Sequence, residues 1–510
     1  MTLEQHFLAL QQKLAAVAVL SIADINAATD FAIDANAANR ADLTLALLKP
    51  LALRAPHVAK IWQLLGLAWR DEQDMQKAAE AFETAAKLAP QDMRIQLGKA
   101  QVAFETGRPS AHLFKAVRAV APDDGELALS AAAALVHDGK ATAGEKLIVE
   151  MLARDPAWLR GLDTLATMRW TAGDLTTFDR AFAESVKARP QDLSLRLGWF
   201  RAVSQVAAWE KAEAIIGDSR QVFGDCIELN AVEAHVATEM GDDDRAEALF
   251  GKAAALDDSG TKISHVRHCL RTGGIDQAEA ICLSLIRTAA APSAWPYLSI
   301  IWRLKSDPRA GWLDGETPYI GQYDLQVSTD ALEALAACLR RLHLTTHHPP
   351  EQSLRGGTQT QGNLFLRLEP ELLSIKKLIL EAVQDYVAGL PAFVEGHPLL
   401  GTPRGGLHFE GAWSVRLSGQ GFHIDHTHPL GWISSAFYVA LPENMGADQA
   451  GWLQLGAPPP DLRLDLAPYR MIEPKPGRLV LFPSTMWHGT LPFDDGERLT
   501  IAFDIRQPVR

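Results

Sequence analysis

The chain is poor in the residues that would mark several classes of protein. Its 510 residues include four cysteines, and no two of them form a Cys-x-x-Cys pair. This scarcity argues against a disulfide framework and against a zinc site built on cysteine, and it favours a reducing compartment, the cytoplasm. Basic residues, 49 in number, are outnumbered by 62 acidic ones, for a net charge of −13. That balance disfavours nucleic acid as a partner of the whole chain.

Long apolar runs are also missing. No stretch of about 18 uninterrupted apolar residues occurs, so we expect no membrane span and no membrane partner. The N-terminal apolar stretch is broken by Glu4, Gln11 and Lys13, which is typical of an amphipathic helix and not of a signal peptide. Hydrophobic residues make up 47% of the chain and charged residues 22%, values that are ordinary for a globular protein and argue against extensive disorder.

The composition changes near residue 310. Residues 1–305 are rich in alanine and leucine with a helical period, whereas the remainder is richer in Gly, Pro, Trp and alternating apolar residues. Between the two parts, Ser306-Asp307-Pro308 is a sequence that stops a helix. We predict a multidomain α + β protein, with a helical domain at residues 1–305 and a strand-rich domain at residues 310–510.

Prolines recur in the first half with a nearly constant period. Pro90, Pro122, Pro156 and Pro190 lie 32, 34 and 34 residues apart, and each ends an apolar helical segment. One unit is clear and comprises Trp62, Leu65, Gly66, Trp69, Ala78, Phe82, Ala85 and Pro90. This unit resembles the tetratricopeptide repeat (TPR), and later units resemble it more weakly. The resemblance implies an α-helical TPR-like solenoid whose concave surface binds a protein or peptide.

The second half alternates as the strands of a β-barrel do. Candidate strands cover residues 413–417, 421–427, 433–441, 452–455, 478–482, 486–489 and 499–505, with Gly and Pro between them. Two predicted helices, at 329–342 and 369–390, precede all of these strands, and a polar loop at 352–361 separates the helices. We therefore predict helices that flank a compact antiparallel barrel.

Four histidines of the second half form a candidate metal site. His423, His426 and His428 lie in one short stretch with Asp425, and His488 follows on a distant predicted strand. Residues spaced i and i+2 on a strand point to the same face, and a ligand from another strand can complete such a site. Two histidines and one carboxylate, with open positions left over, are the ligands of non-haem Fe(II) oxygenases.

Arg498 and Thr500 share one face of the last predicted strand. An arginine can bind a carboxylate through two hydrogen bonds, and a hydroxyl adds one more donor. The pair is therefore suited to the distal carboxylate of 2-oxoglutarate. In the polar loop, Arg355 and Gln359 are candidates for the mouth of a substrate site.

The motifs of the second half also resemble those of a known family. They are His426-Thr-His428-Pro429, Phe437-Tyr438-Val439, Pro476-Gly477, Phe482-Pro483, His488-Gly489 and Arg498-Leu-Thr500, with the loop at 354–360. Residues 350–510 thereby resemble the double-stranded β-helix (jelly-roll, cupin-like) domain of 2-oxoglutarate- and Fe(II)-dependent dioxygenases, in particular a bacterial and phage branch. The resemblance implies an oxidoreductase that binds Fe(II) and 2-oxoglutarate, with Tyr438, Arg498 and Thr500 on the cosubstrate.

That family converts 2-oxoglutarate to succinate and CO2 while it hydroxylates a C–H bond, and the solenoid would recruit a protein or peptide substrate. Two ligand sets remain open. His423, Asp425 and His488 form the usual His-x-Asp…His set of the superfamily. His426, His428 and His488 agree better with the His-x-His-Pro segment of the branch, and we favour them. The two sets point to opposite faces of a strand, so both cannot bind the metal without a bulge.

The second set lacks a carboxylate, which leaves two other functions open. One is a catalytically degenerate oxygenase fold that acts as a TPR binding scaffold. The other is a zinc or manganese site with different chemistry, because imidazole also suits zinc.

Overall fold

Helices account for nearly all of the first 305 residues, as the helical period predicts. The computed structural model describes residues 2–315, 317–446 and 448–508. The first helices are α1 (Leu3–Ala16), α2 (Ile22–Ala37), α3 (Ala41–Arg54), α4 (Ala59–Asp71), α5 (Met75–Leu88), α6 (Met93–Glu105), α7 (Ala111–Arg118), α8 (Gly125–His137) and α9 (Ala141–Leu152). They are followed by α10 (Leu159–Thr171), α11 (Arg180–Ala188), α12 (Leu193–Ser204), α13 (Trp209–Phe223), α14 (Ile227–Met240), α15 (Asp243–Ala253), α16 (Ser259–Thr272), α17 (Ile275–Leu285) and α18 (Ala291–Leu304). None of the described helices is long and apolar enough to cross a membrane.

Helix α5 explains the repeat signature in terms of packing. Asp74 caps its first turn by accepting a hydrogen bond from the backbone N–H of Lys77 at 3.2 Å. The ring of Phe82 packs against Gly66 of α4 and Gly98 of α6, where an added Cβ would lie 2.7 and 2.1 Å from ring atoms. The small residues of the motif therefore leave the space that the aromatic ring of the intervening helix fills.

The chain forms two compact units, residues 1–153 with 365–373 and residues 154–364 with 374–510. Helices α1–α9 belong to the first unit, and helices α10–α18 share the second unit with the strand-rich domain. The domain boundary predicted between residues 305 and 310 stays a prediction.

In the first unit, the segment Phe365–Leu373 lies on the repeat helices. Leu366 and Leu368 pack on buried apolar residues of α5 and α6. Arg367 Nη1 lies 3.2 Å from Nε2 of His137 in α8. An added Cβ on Gly107 would lie 2.3 Å from the same guanidinium. These helices thus hold a peptide of their own chain.

In the second unit, the repeat helices support the strand-rich domain. The indole N–H of Trp487 donates to the carbonyl of Pro296 in α18 at 2.9 Å. The indole N–H of Trp170 in α10 donates to the carbonyl of His348 at 3.0 Å. A common cluster of buried apolar residues joins helices α16–α18 to Leu462 and Trp487. The residue next to His488 is therefore held by a repeat helix.

The strand-rich domain has the two-sheet arrangement of a double-stranded β-helix. Its described strands are β1 (Gly321–Asp324), β2 (Leu354–Gln359), β3 (Phe409–His423), β4 (Ile433–Ala440), β5 (Leu453–Leu455), β6 (Arg470–Ile472), β7 (Arg478–Pro483), β8 (His488–Thr490) and β9 (Glu497–Ile505). One antiparallel sheet has the order β1-β7-β4-β9-β3-β2 and the other the order β6-β5-β8. With the helices α19 (Thr329–Leu342) and α20 (Pro370–Gly389) beside them, the predicted fold class is confirmed.

The structure corrects two strand predictions near the candidate site. The loop expected at 352–361 contains β2, which pairs with β3 and has a β-bulge between Arg355 and Gly357. Its polar, glycine-containing sequence has no alternating pattern that would predict a strand. The segment becomes a strand by pairing with β3, which lies far along the chain. The strand expected at 421–427 ends at His423. There the chain leaves β3 and reaches the other sheet, where His426 bridges to His488 of β8.

Candidate metal centre

Three histidines converge where the chain crosses between the two sheets. The backbone of His426 exchanges two hydrogen bonds with that of His488, at 2.9 and 3.0 Å, and the N–H of His428 donates to the carbonyl of Ser484 at 3.0 Å. One ring nitrogen from each of His426, His428 and His488 lies within 4.8 Å of the other two. In the part of the chain that the structure describes, they form the one group of three or more His, Cys, Asp or Glu side chains that could hold a metal ion.

The Nδ1 atom of each ring already has an acceptor. Nδ1 of His426 and Nδ1 of His488 each lie against a backbone carbonyl, at 2.8 and 3.0 Å. Nδ1 of His428 lies 2.7 and 2.8 Å from the two carboxylate oxygens of Asp504. Since a carbonyl or carboxylate oxygen accepts, Nδ1 carries the proton in each ring. Nε2 then keeps the lone pair with which an imidazole binds a metal.

Burial keeps the rings of His426 and His488 neutral. The pKa values of His426 and His488 lie well below the usual value, first because both rings are buried and then because protonated neighbouring histidines would repel their charge. Neutral imidazole is the form that binds a metal. The hydroxyl of Ser353 lies 3.1 Å from Nε2 of His426 and donates to that lone pair.

The residues of the alternative ligand set are arranged differently. Oδ2 of Asp425 accepts a hydrogen bond from Nε2 of Gln454 at 2.7 Å, and an added Cβ on Gly489 would lie 2.7 Å from Oδ1. Burial raises the pKa of Asp425 to about 7. His423 lines the same cavity as the three histidines, and its Nδ1 lies 3.0 Å from the Ser353 hydroxyl. The structure thus brings His426, His428 and His488 together and leaves Asp425 outside the cavity lining.

Arg498 and Thr500 of β9 line this cavity as well. Nη1 of Arg498 donates to the carbonyl of Gly451 at 2.9 Å, and the guanidinium lies 5.2 Å from the centre of the Tyr438 ring. Nε of Arg498 and the hydroxyl of Tyr438 are buried, and neither has a hydrogen-bond partner among the described residues. Burial lowers the pKa of Arg498. Because unpaired buried polar groups are costly, a ligand that accepts from them would be stabilised.

The two residues predicted at the mouth differ in position. Gln359 lines the cavity, with Gln352, Ser353 and Trp413. Arg355 is not among the lining residues, and its Nη1 donates to the carbonyls of Gln352 and Leu354 at 2.7 and 2.9 Å. No carboxylate side chain of the described residues lines the cavity.

Sequence reasoning missed Ser353 and Asp504. Asp504 lies on β9 and continues the two-residue spacing that links Arg498, Thr500 and Ala502, so this alternation could have found it. Ser353 precedes β2, and no local signal marks it, because its partners His423 and His426 lie far along the chain.

The strand-rich domain can now be compared with known families. Residues 411–504 match the family model described as "Putative 2OG-Fe(II) oxygenase". We therefore refer to this domain as the oxygenase-family domain. The match contains all the histidines of the cluster, together with Arg498, Thr500 and Asp504. No curated protein matches the chain.

Several solved structures are each similar to part of the chain. A Pseudomonas putida prolyl-4-hydroxylase is 20% identical, with a TM-score of 0.26 over 38% of this chain and 94% of its own. A viral collagen prolyl hydroxylase from Paramecium Bursaria Chlorella virus-1, in complex with 2OG, is 16% identical, with a TM-score of 0.26 over 37% of this chain and 96% of its own. A tetratricopeptide repeat protein from Parabacteroides merdae is 15% identical, with a TM-score of 0.30 over 50% of this chain and 94% of its own.

Proposed function

We propose that the oxygenase-family domain is a 2-oxoglutarate- and Fe(II)-dependent dioxygenase that hydroxylates its substrate. The observation that carries the proposal is the convergence of three imidazoles, one ring nitrogen of each within 4.8 Å of the other two, with Nδ1 of every ring already facing an acceptor oxygen. The family match at residues 411–504 supports it. In this proposal His426, His428 and His488 hold the iron.

The residues beside the histidines fit an anionic cosubstrate. Arg498 and Thr500 would hold the distal carboxylate of 2-oxoglutarate, and the unpaired Nε of Arg498 is a donor that such a ligand can use. Tyr438, which the sequence predicts on the cosubstrate, is not among the residues that line the cavity. When bound, Fe(II) and 2-oxoglutarate activate O2, so that 2-oxoglutarate gives succinate and CO2 and one oxygen atom enters a C–H bond of the substrate. The buried lining restricts bulk water beside these groups, which strengthens the electrostatic attraction of Arg498 for a carboxylate.

The substrate side of the cavity is polar, and none of the described residues that line it carries a carboxylate. Gln352, Gln359 and Trp413 would contact the substrate, because they line the cavity and are not needed for the metal or the distal carboxylate. The proposed recruitment of a protein or peptide falls to the other helices of the first unit, since α5, α6 and α8 hold a segment of their own chain and α10–α18 support the oxygenase-family domain. In the first unit Val19 and Leu53 are 83% and 85% exposed. The cytoplasmic location stays a prediction.

The proposal is tested by succinate formation. Purified protein reconstituted with Fe(II) under exclusion of air, then given O2, ascorbate and 2-oxoglutarate, should release succinate even without the substrate, at a slow uncoupled rate. Protein loaded with Zn(II) is the control and should release none. Absence of both succinate release and 2-oxoglutarate binding would contradict the proposal and favour a binding scaffold.

The absence of a carboxylate from the histidine group favours one second candidate. Three imidazoles with an open position are also the ligands of a hydrolytic zinc site. Metal analysis of protein purified without added metal separates the two candidates. Iron would support the oxygenase, and zinc in stoichiometric amount that iron does not displace would support the alternative.

A further inference from the structure

The three histidines of the metal centre are not supported alike. His426 and His488 donate their Nδ1 protons to backbone carbonyls, which are neutral. His428 instead donates to a carboxylate, with Nδ1 2.7 and 2.8 Å from Oδ1 and Oδ2 of Asp504. One ligand of the proposed iron is therefore backed by a negative charge.

The position of Asp504 is fixed by its surroundings. The hydroxyl of Ser434 donates to Oδ1 of Asp504 at 2.6 Å, and Ser434 lies opposite Asp504 in the pairing of β4 with β9. An added Cβ on Gly431 would lie 3.1 Å from the Asp504 carboxyl carbon. Asp504 is 7% exposed, so water has little access to it. The carboxylate is held against His428 from several sides.

The contact between His428 and Asp504 affects the charge at the metal site. In the arrangement of two histidines and one carboxylate, the carboxylate brings one negative charge into direct contact with the iron. Three neutral imidazoles bring none. A carboxylate that accepts the Nδ1 proton of a metal-bound histidine raises the basicity of that ligand and fixes the orientation of its ring. Asp425, the other buried carboxyl group near the centre, instead pairs with Gln454.

We propose that Asp504 is a positioning residue that replaces the missing carboxylate ligand by acting through His428. The negative charge of the site is moved outward by the length of one imidazole ring. This inference rests on the proposed function, because it concerns the same iron site. It goes beyond that function by assigning the affinity and electronic character of the centre to a residue that does not touch the metal.

The test measures metal binding instead of turnover. Co(II), whose visible ligand-field spectrum reports its coordination, is titrated into the full-length protein and the variants. Asp504→Asn should bind Co(II) about 10–100-fold more weakly and with an altered spectrum, because the hydrogen bond remains possible while the charge is lost. Asp425→Asn is the matched control, a buried carboxyl group of similar exposure, and its Co(II) affinity should equal that of the unchanged protein.

A rescue variant separates the charge from a merely structural role. His428→Asp combined with Asp504→Asn places a carboxylate two residues after His426, as in the usual His-x-Asp arrangement. It should regain most of the Co(II) affinity that Asp504→Asn loses. Should Asp504→Asn fail to fold, Ser434→Ala keeps the carboxylate, removes the hydroxyl that orients it, and should weaken Co(II) binding several-fold.

The outcomes separate the inference from the function on which it rests. Equal Co(II) affinities of Asp504→Asn and the unchanged protein would overturn the role of Asp504 alone. In the fallback test, an unchanged affinity of Ser434→Ala would do the same. Unchanged protein that binds neither Co(II) nor Fe(II) would overturn the proposed function itself.

Discussion

Two buried arginines, one in the repeat helices and one in the oxygenase-family domain, differ in whether a carboxylate pairs with them. The Arg271 side chain in α16 is 2% exposed, and its Nη2 lies 2.8 Å from Glu239 and 3.4 Å from Asp461. Arg498 in β9 is also 2% exposed, and among the described residues no carboxylate contacts it. Carboxylates of its own chain compensate the charge of the repeat arginine, whereas no carboxylate of the described residues does so for the cavity arginine.

Two buried histidines differ in the same way. His268 in α16 has its Nε2 3.1 Å from a carboxylate oxygen of Glu247, and its ring lies 5.5 Å from that of Phe250. The ring of His488 lies 4.2 Å from that of His426 and 5.0 Å from that of His428. Burial alone therefore does not mark a functional residue in this protein. In these two pairs, the cavity residue is the one that no carboxylate of the described residues contacts.

The largest expected effect is the loss of metal affinity when the cavity histidine His488, and not the repeat histidine His268, is replaced. His488→Ala removes one of three proposed ligands, and we expect Fe(II) or Co(II) affinity to fall by at least about 100-fold, beyond the loss that an outer partner causes. His268→Ala is the matched control, because it removes an equally buried histidine that has a carboxylate partner in the repeats. Isothermal titration with each metal measures both. Metal binding that survives His488→Ala but not His268→Ala would invert the comparison.

The second prediction addresses the arginines. Arg498→Ala should weaken 2-oxoglutarate binding to the Co(II)-loaded protein by about 10–100-fold, the range expected for losing a hydrogen-bonded charge pair. Arg416→Ala, on the adjacent strand β3, is the control, since Arg416 pairs with Glu497 and is about half exposed. Equilibrium titration of 2-oxoglutarate gives both dissociation constants. An equal loss in the two variants would mean that general positive charge, and not the position of Arg498, attracts the cosubstrate.

The comparison also explains which parts of the structure the sequence could predict. The histidines and Arg498 could be predicted as candidates because their signals are local: short motifs and a two-residue spacing on one strand. Helix α19 has the predicted bounds, Thr329–Leu342, because its apolar face and the Ser328 cap are local signals. Strand β2 was missed because its partner β3 supplies the strand character. The position of the segment Phe365–Leu373 was not predicted for the same reason, since its apolar residues are buried only by packing on distant helices.

The third prediction tests how tightly the repeat helices of the first unit hold the segment that contains Arg367. Gly107 and Gly139 both follow a repeat helix in the left-handed conformation, with φ of 77° and 73°. Alanine at Gly139 should cost about 1–2 kcal/mol for the conformation alone, because no atom lies within 4 Å of its added Cβ. Alanine at Gly107 should cost about 1 kcal/mol more, because the guanidinium of Arg367 must move away from its hydrogen-bond partners.

Urea unfolding of the full-length variants, followed by hydrogen exchange in helices α6 and α8, measures the difference between the two glycines. Adding Arg367→Ala to Gly107→Ala should remove most of the excess cost, since the two residues are in contact and their effects should not add. Equal destabilisation of the two glycine variants would show that the segment containing Arg367 is not held tightly by these helices.

The last prediction concerns an acid where the repeat helices meet the oxygenase-family domain. Asp314 is buried, and its carboxylate accepts a hydrogen bond from the Ser299 hydroxyl of α18 at 2.9 Å. Burial raises its pKa to about 6, although Ser299 acts in the opposite direction. The folded protein therefore holds a proton between about pH 4 and pH 6 that the unfolded chain has released, so this group's contribution to stability falls as the pH rises through that window.

Asp314→Asn should remove this pH-dependent loss of stability, because asparagine does not ionise. The size of the change shows how far the repeat helix compensates a buried charge of the neighbouring domain. The variant should match the unchanged protein near pH 4 and be more stable above pH 7, by at most about 3 kcal/mol, since each pKa unit corresponds to about 1.4 kcal/mol. The apparent Tm between pH 4 and pH 8 measures the effect. Ser299→Ala should shift the pH dependence of the unchanged Asp314 to higher pH, because it removes the donor that stabilises the carboxylate. If Asp314→Asn is no more stable than the unchanged protein above pH 7, the repeat helix compensates the charge of this acid, and the contrast between the two regions is confined to the cavity.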